Sequence, residues 1–207
     1  MNANVGNNTV VIRATDSSSA YAEFTLTITV ANTNDAPTIT SSPTFTADEN
    51  QTTIGQVKAT HADGNTLTYS VSGNELEIDQ LTGVLIFKNA PNYEIKSTYT
   101  AKVTVSDGTN SATQDITVNV TNLNESPTFS SSTRTINVVE NETTVGTVRA
   151  TDPDSGTTLT YSITDGADQD AFNIDQSSGE LTFVTAPNYE TKSTYTVIVT
   201  ASDETNS

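Results

Sequence analysis

Apolar and polar residues alternate in short stretches along the whole chain. In the stretch YTAKVTVSD, Tyr99, Ala101, Val103 and Val105 fall on one face, and polar residues fall on the other. A period of two residues predicts a β-strand with one buried face. Similar stretches, separated by glycines and polar turn residues, predict strands near residues 43–48, 52–60, 66–72, 75–78, 83–88, 98–106 and 112–121. No stretch predicts a helix of useful length.

This pattern recurs with a period of about 90 residues. The segment ENQTTIGQVKAT (49–60) returns as ENETTVGTVRAT (140–151), and PNYEIKSTYT (91–100) returns as PNYETKSTYT (187–196). The later copy has extra residues near DGADQD (165–170), where we expect a loop insertion. A repeat of this length with seven short strands predicts an all-β chain of tandem immunoglobulin-like, Greek-key β-sandwiches.

The linkers ANTNDAP and TNLNESP mark the predicted domain boundaries. Residues 1–31 are expected to be the last two strands of one repeat, 32–121 a complete repeat, and 122–207 a repeat without its last strand. The simplest interpretation is a piece cut from a longer array, which agrees with the absence of a signal-peptide pattern at the N-terminus. An alternative is that residues 20–30, which match the missing strand, complete the last repeat of a neighbouring chain in head-to-tail filaments.

Charge and composition narrow the function classes. The chain has 25 acidic and 8 basic residues, a net charge of −17, so nucleic acid and anionic membranes are unfavourable partners. It has no cysteine and one histidine, which excludes disulfides, zinc-thiolate sites and most nucleophile–base pairs. We therefore expect no enzyme, and no apolar stretch is long enough to insert into a membrane. The acidic charge serves either solubility or the binding of hard cations.

Acidic and amide residues cluster where the predicted strands end. In a seven-stranded sandwich, the far end of one repeat, the linker and the near end of the next repeat should meet. At the second linker this arrangement gathers one group of oxygen-bearing side chains: Glu94, Asn122, Asn124, Glu125, Asp152, Asp154 and Asp203. Carboxylates of like charge repel one another and do not pack together without a counter-ion. A calcium ion, which takes 6 to 8 oxygen ligands, would resolve the conflict.

These motifs resemble those of cadherin repeats. The corresponding positions are Glu49, NYE at 92–94, NLNES at 122–126, DPD at 152–154 and SDE at 202–204. The resemblance implies that Glu49 and Asn92 join the calcium ligands and that calcium rigidifies the junction between successive repeats. The short linkers, with asparagine at 92 and 122 in place of acids, resemble bacterial cadherin-like domains of large surface adhesins.

The first linker differs from the second at one acidic position. ATHADGN (59–65) corresponds to ATDPDSG (150–156), so His61 stands where Asp152 stands later. We expect His61 to be an exposed turn residue. The remaining oxygen ligands predict a weaker calcium site and a junction that bends more easily: Asn32, Asn34, Asp35, Asp63 and Asp107.

The favoured function is a calcium-rigidified extracellular spacer or adhesion repeat on a bacterial cell surface or in a filament. Its partners would be neighbouring repeats of the same chain and like domains of other chains. The alternative is a module that recognises carbohydrate or protein at the cell surface.

Overall fold

In the computed structural model, residues 6–203 are described. The chain divides into two units, Met1–Thr121 and Asn122–Ser207. Both are built from strands, and the described residues contain a single short 3₁₀ helix, Gln169–Ala171. Among these residues, no helix is long and apolar enough to cross a bilayer. The predicted all-β class is confirmed.

The strands of the first unit follow the predicted alternation closely. They are β1 (Gly6–Thr15), β2 (Tyr21–Val30), β3 (Thr38–Ile39), β4 (Thr44–Asp48), β5 (Thr53–Gln56), β6 (Ala59–Thr60), β7 (Thr68–Val71), β8 (Leu76–Ile78), β9 (Val84–Phe87), β10 (Thr98–Ser106) and β11 (Ser111–Thr121).

Two sheets of the first unit pack face to face. One has the order β4-β11-β10-β7, in which β4 runs parallel to β11 and the other pairs are antiparallel. The other has the order β5-β9-β8, and β3 pairs with β6 beside them. β4 pairs with β11, which is distant in sequence, and the next strand, β5, lies in the other sheet. The connection from β4 to β5 therefore crosses between the two sheets, as expected of a Greek-key sandwich.

The core of this sandwich is made by the inward face of each strand. In β10, Val103 and Val105 are fully buried, whereas Lys102, which directly precedes Val103, is exposed. Residues from both sheets contribute to one apolar cluster: Ala47, Ile54, Val57, Leu76, Leu85, Phe87, Val103, Val105, Ile116, Val118 and Val120.

Strands β1 and β2 form a hairpin with a two-stranded sheet of its own. All ten residues of β2 are exposed, including large apolar side chains such as Phe24, which is 64% exposed. This hairpin therefore has apolar side chains on a surface that nothing covers in the described part of the chain.

The second unit repeats the architecture with fewer pairings. Its elements are β12 (Thr128–Phe129), β13 (Thr144–Thr147), β14 (Ala150–Thr151), β15 (Thr160–Asp165), the 3₁₀ helix Gln169–Ala171, β16 (Phe172–Ile174), β17 (Glu180–Phe183) and β18 (Ile198–Ser202). The sheets are β12-β14, β13-β17-β16 and β15-β18. Phe172, Leu181 and Phe183 form its buried cluster, and Tyr195 packs edge-on against both phenylalanine rings.

Two strands of the sandwich in the first unit, β4 and β11, have no counterpart among the described residues of the second unit. Residues 135–139, which correspond to β4, carry no strand, and Val139 is 73% exposed. In the first unit, β4 is held by β11. Within the described residues of the second unit, β18 pairs with β15 alone, so no equivalent of β11 holds residues 135–139.

Candidate metal centres

The second unit buries two aspartates beside its entry linker. Asp154 follows β14 and is 9% exposed, and Asp203 follows β18 and is 7% exposed. Asn122 Nδ2 donates to Asp154 Oδ1 at 2.9 Å, and the Glu125 backbone N–H donates to Asp154 Oδ2 at 2.8 Å. Asn124 Nδ2 donates to Asp203 Oδ2 at 2.6 Å. The linker is therefore tied to the ends of two strands through carboxylates.

Asp152 adds a third carboxylate to this group. Its Oδ1 accepts a hydrogen bond from the Asp154 backbone N–H at 2.9 Å, which closes a tight turn. Its Oδ2 is buried and has no hydrogen-bond partner among the described residues. A buried acceptor without a donor costs free energy, and more so when it is charged. Asp152 and Asp154 share one turn with this orphaned oxygen, and Asp203 is tied to the same linker through Asn124. Together they offer oxygen ligands of the kind that a hard cation takes.

The first unit carries two glutamates at the end of β11. The Glu49 backbone N–H donates to Thr121 O at 3.2 Å, so Glu49 lies beside the last residue of that strand. Its side chain is almost fully buried, and Glu49 Oε2 accepts from the Tyr93 N–H at 2.8 Å. Carboxylate oxygens of Glu49 and Glu94 lie within 4.8 Å of each other. Two like charges at this separation favour a cation between them.

The structure gives Asn92 a local role. Its Oδ1 accepts from the Ile95 N–H at 2.9 Å, and Asn188 Oδ1 accepts from the Thr191 N–H at 3.0 Å at the equivalent place in the second unit. In both repeats this asparagine caps the turn before the sixth strand. The resemblance to cadherin repeats also assigns Asn92 to the calcium ligands, and that assignment stays a prediction, because its amide oxygen has two lone pairs and the turn uses one.

At the first linker, Asp63 accepts two hydrogen bonds. Asn32 Nδ2 donates to Asp63 Oδ1 and the Asp35 N–H donates to Asp63 Oδ2, both at 2.8 Å. The bond from the Asp35 backbone, then that from Asn32, lowers the pKa of Asp63.

Asp107 is bonded more extensively still. Asn34 Nδ2 donates to its Oδ2 at 2.7 Å, and the N–H groups of Thr109 and Asn110 donate to its Oδ1 at 2.7 and 2.6 Å. The backbone bond from Asn110 is the largest cause that holds the pKa of Asp107 far below its usual range, followed by the bond from Asn34.

The expectation that His61 is an exposed turn residue was wrong. Its side chain is 1% exposed, and its Nε2 lies 2.9 Å from Oδ2 of Asp107, whose side chain is fully buried. Its Nδ1 accepts from the Asp63 N–H at 3.1 Å. The ring is buried because both of its nitrogens find partners in the linker-facing cluster, and hydrophobic periodicity carries no information about such contacts.

Sequence reasoning also missed two asparagines at this linker. Asn65 Nδ2 donates to Asn34 Oδ1 at 2.6 Å. Asn110 Nδ2 donates to the backbone oxygens of Asn34 and Asp35 at 3.2 and 3.3 Å. Both sit in polar turns, where asparagine is common for local reasons, so nothing in the sequence marked them as linker contacts.

Family models and similar sequences decide what the chain is. Residues 134–207 match the model of the cadherin domain, and residues 34–121 match that of a bacterial Ig domain. The human protein "Cadherin EGF LAG seven-pass G-type receptor 2" is 34% identical over 200 residues, 88% of this chain. This chain is built of cadherin repeats. Cadherin repeats are adhesion modules and not enzymes, as the sequence predicted.

The likeness holds for other cadherin repeats and for their fold. Human "Protocadherin Fat 1" is 37% identical over 150 residues, 66% of this chain. The chain spans 7% of the human receptor and 3% of Protocadherin Fat 1. The crystal structure of mouse Cadherin-23 EC22-24 is 26% identical to this chain and has a TM-score of 0.54. The match covers 89% of this chain and 65% of the Cadherin-23 chain. The crystal structure of human Protocadherin-24 EC1-2 is 22% identical to this chain and has a TM-score of 0.57. The match covers 82% of this chain and 94% of the Protocadherin-24 chain.

Proposed function

We propose that this chain is a calcium-rigidified extracellular spacer of a long bacterial surface adhesin, with ions bound at the junctions between successive repeats. One observation carries the proposal. Asp152 and Asp154 share one turn that is tied to the linker of the second unit, and a buried carboxylate oxygen of Asp152 has no hydrogen-bond donor among the described residues. A protein that only needed soluble surface charge would not hold its acids in this way.

Calcium is the cation that this ligand set suits best. It accepts 6 to 8 oxygens in irregular shells, whereas magnesium requires near-ideal octahedral geometry and keeps several waters. The second unit offers carboxylates from Asp152, Asp154, Asp203 and Glu125 and an amide from Asn124. The first unit offers Glu49 and Glu94 next to its last strand. Such an ion would neutralise the acids and fasten the linker to the strand ends that flank it.

The bacterial assignment rests on two features. Residues 34–121 match a bacterial Ig domain, and the linkers are shorter than those of the animal family. The relatives named above come from human, so their similarity supports cadherin repeats and not the source of this chain. The adhesion class of the related repeats supports an extracellular location, where calcium is abundant.

Calorimetric titration with calcium tests the proposal. The wild type should bind calcium and melt at a higher temperature in calcium than in EGTA, because an ion that binds only the folded state stabilises it. Asp154→Ala should weaken binding by about tenfold or more, since it removes a carboxylate at the centre of the cluster. Asp170→Ala is the matched control, because Asp170 is an exposed acid of the same unit.

The proposal fails if the wild type takes up no calcium at roughly millimolar concentration, the range of weak extracellular sites. It also fails if Asp154→Ala and Asp170→Ala bind alike. Small-angle scattering adds a second measurement. EGTA should broaden the distribution of the radius of gyration, because a linker without its ion samples more conformations.

A recognition module remains the second candidate, and one observation favours it. Tyr93 and Tyr189, at equivalent loops, are 38% and 68% exposed. Exposed aromatics that recur with the repeat can stack on sugars or protein surfaces. A glycan array that compares the wild type with Tyr189→Ala tests this function, and binding that Tyr189→Ala leaves unchanged would contradict it.

A further inference from the structure

His61 and Asp152 occupy the same turn but present different atoms to the linker. The Asp63 N–H donates to His61 Nδ1 at 3.1 Å, just as the Asp154 N–H donates to Asp152 Oδ1 at 2.9 Å. The second polar atom of each side chain differs. Asp152 Oδ2 is buried without a hydrogen-bond partner among residues 6–203, whereas His61 Nε2 is bonded to Asp107 Oδ2 at 2.9 Å.

The hydrogen-bond pattern fixes the tautomer of His61. Because Nδ1 accepts a backbone N–H, the ring proton lies on Nε2, and Nε2 donates to the carboxylate of Asp107. The first linker therefore has a buried N–H donor at the position where the second linker has an oxygen acceptor. A donor hydrogen repels a cation, and an imidazole is a poor ligand for a hard one.

The carboxylates at the first linker are already satisfied by the protein. Both oxygens of Asp63 accept hydrogen bonds, from Asn32 and from the Asp35 backbone. Both oxygens of Asp107 also accept, one from two backbone N–H groups and the other from Asn34 and His61. The side chains of His61 and Asp107 are 1% and 0% exposed. Because Asp154 at the second linker accepts the equivalent two bonds that Asp63 accepts, the contact that sets the first linker apart is the bond from His61 to Asp107, which a calcium ion would have to break.

We propose that His61 is a specificity-determining residue that excludes calcium from the first linker and fastens that linker in place of an ion. The ring bridges the turn after β6 to the end of β10, and Asn32, Asn34 and Asp35 hold the linker to the same two aspartates. The first linker is then ordered with or without calcium, contrary to the sequence-based prediction that it bends more easily. The statement that calcium binds at the second linker and not at the first rests on the proposed function. The statement that hydrogen bonds alone order the first linker does not rest on it.

Nuclear magnetic resonance tests the state of the first linker directly. The chain has one histidine, so the imidazole signals are unambiguous. In EGTA near neutral pH, long-range nitrogen–proton spectra should show a protonated Nε2 and an acceptor Nδ1. The Nε2 proton and the amides of Asp35 and Asp63 should exchange slowly and should not change when calcium is added. A rapidly exchanging, averaged ring, or amides that become protected only in calcium, would overturn the proposal.

Calcium titration of paired variants tests the specificity. In the background Asp154→Ala, which impairs the second junction, we expect no calcium binding assignable to the first linker. Addition of His61→Asp should create calcium binding, and further addition of Asp63→Ala should remove it. The reciprocal variant Asp152→His, in an otherwise wild-type chain, should weaken binding by about tenfold or more. If Asp154→Ala alone binds calcium and Asp63→Ala abolishes that binding, His61 does not exclude the ion.

The two proposals fail in different ways. If the wild type binds no calcium but its His61 spectrum is as expected and Asp154→Ala/His61→Asp gains binding, the proposed function fails and this inference stands. If His61→Asp does not fold, Asp152→His and the wild-type spectra still decide. Unchanged calcium affinity in a folded Asp152→His variant would count against the role of this position.

Discussion

At the residue scale, the turn aspartates Asp79 and Asp175 show how one carboxylate can organise a loop. Asp79 Oδ1 accepts from the Leu81 N–H, the Thr82 N–H and the Thr82 hydroxyl at 3.0, 2.7 and 2.7 Å. Asp175 repeats the arrangement with Ser177 and Ser178. Each carboxylate therefore closes the turn that follows its own strand. The hydroxyl of Thr82, then its backbone N–H, lowers the pKa of Asp79.

This lowered pKa predicts an acid-dependent stability. Because the folded pKa lies below the unfolded value of about 4, the stabilisation is complete above that value and is lost as the pH falls through the folded pKa. Asp79→Asn should therefore reduce stability at neutral pH and make the decline between about pH 5 and pH 3 shallower. Urea unfolding in EGTA at several pH values measures this. Asp170→Asn removes the same charge from an exposed site, and an equal effect there would contradict the prediction.

The sequence predicted which acidic residues lie near the linkers, but it did not predict their hydrogen-bond partners. Repeat alignment placed Asp63, Asp107 and Asp154 at strand ends because strand periodicity fixes where a strand stops. It could not show that His61 is buried, since that depends on a hydrogen bond to Asp107, 46 residues away along the chain. It also gave no sign that the side chain of Asn92 would cap its own turn.

At the element scale, the turn between β8 and β9 is closed by Gly83. Its φ is +72°, and a Cβ at this position would lie 2.5 Å from Val57 O. The Val57 N–H also donates to Gly83 O at 2.9 Å, so the two backbones are held together. Only glycine permits both the left-handed conformation and this approach.

Two glycines with similar backbone angles separate these effects. Gly64 has a φ of +76°, but a Cβ there would meet nothing within 4 Å. Gly64→Ala should cost about 1 kcal/mol from the conformation alone. Gly83→Ala should cost about 1–3 kcal/mol more, because the backbone contact must also open. Chemical unfolding measures both, and equal losses would show that the close approach has no energetic weight.

Strand positions were predictable, but the assignment of strands to sheets was not. We predicted one strand at 52–60, and the structure divides it into β5, which pairs with β9, and β6, which pairs with β3. Alternation of residues reports which face is buried and does not report a change of partner. The loop insertion near 165–170 likewise gave no sign that Asp168 would accept the Thr196 N–H at 2.8 Å and pair with Lys192.

At the scale of the whole molecule, similar sequences form different sets of strands in the two repeats. Residues 44–48 form β4 because β11 pairs with them, whereas residues 135–139 carry no strand. Strand pairing depends on a partner distant in the chain, so repeat similarity alone could not predict this difference. The sequence counterpart of β11 is β2, whose apolar residues are exposed.

We propose that β2 of one chain exchanges its partner β1 for β18 of another chain, as the sequence suggested for head-to-tail filaments. The exchange is needed because β1 occupies the edge of β2 that corresponds to the edge of β11 paired with β10. In the first unit, Lys102 of β10 lies opposite Asp115 of β11. The equivalent pair is Ile198 and Thr25. Because the chain has no cysteine, Thr25→Cys/Ile198→Cys should form disulfide-linked oligomers under oxidation. Leu26→Cys/Ile198→Cys is the control, because neighbouring strand residues point to opposite faces. Light scattering of the wild type at high concentration should show association, and a strictly monomeric species, or equal crosslinking of both variants, would exclude the exchange.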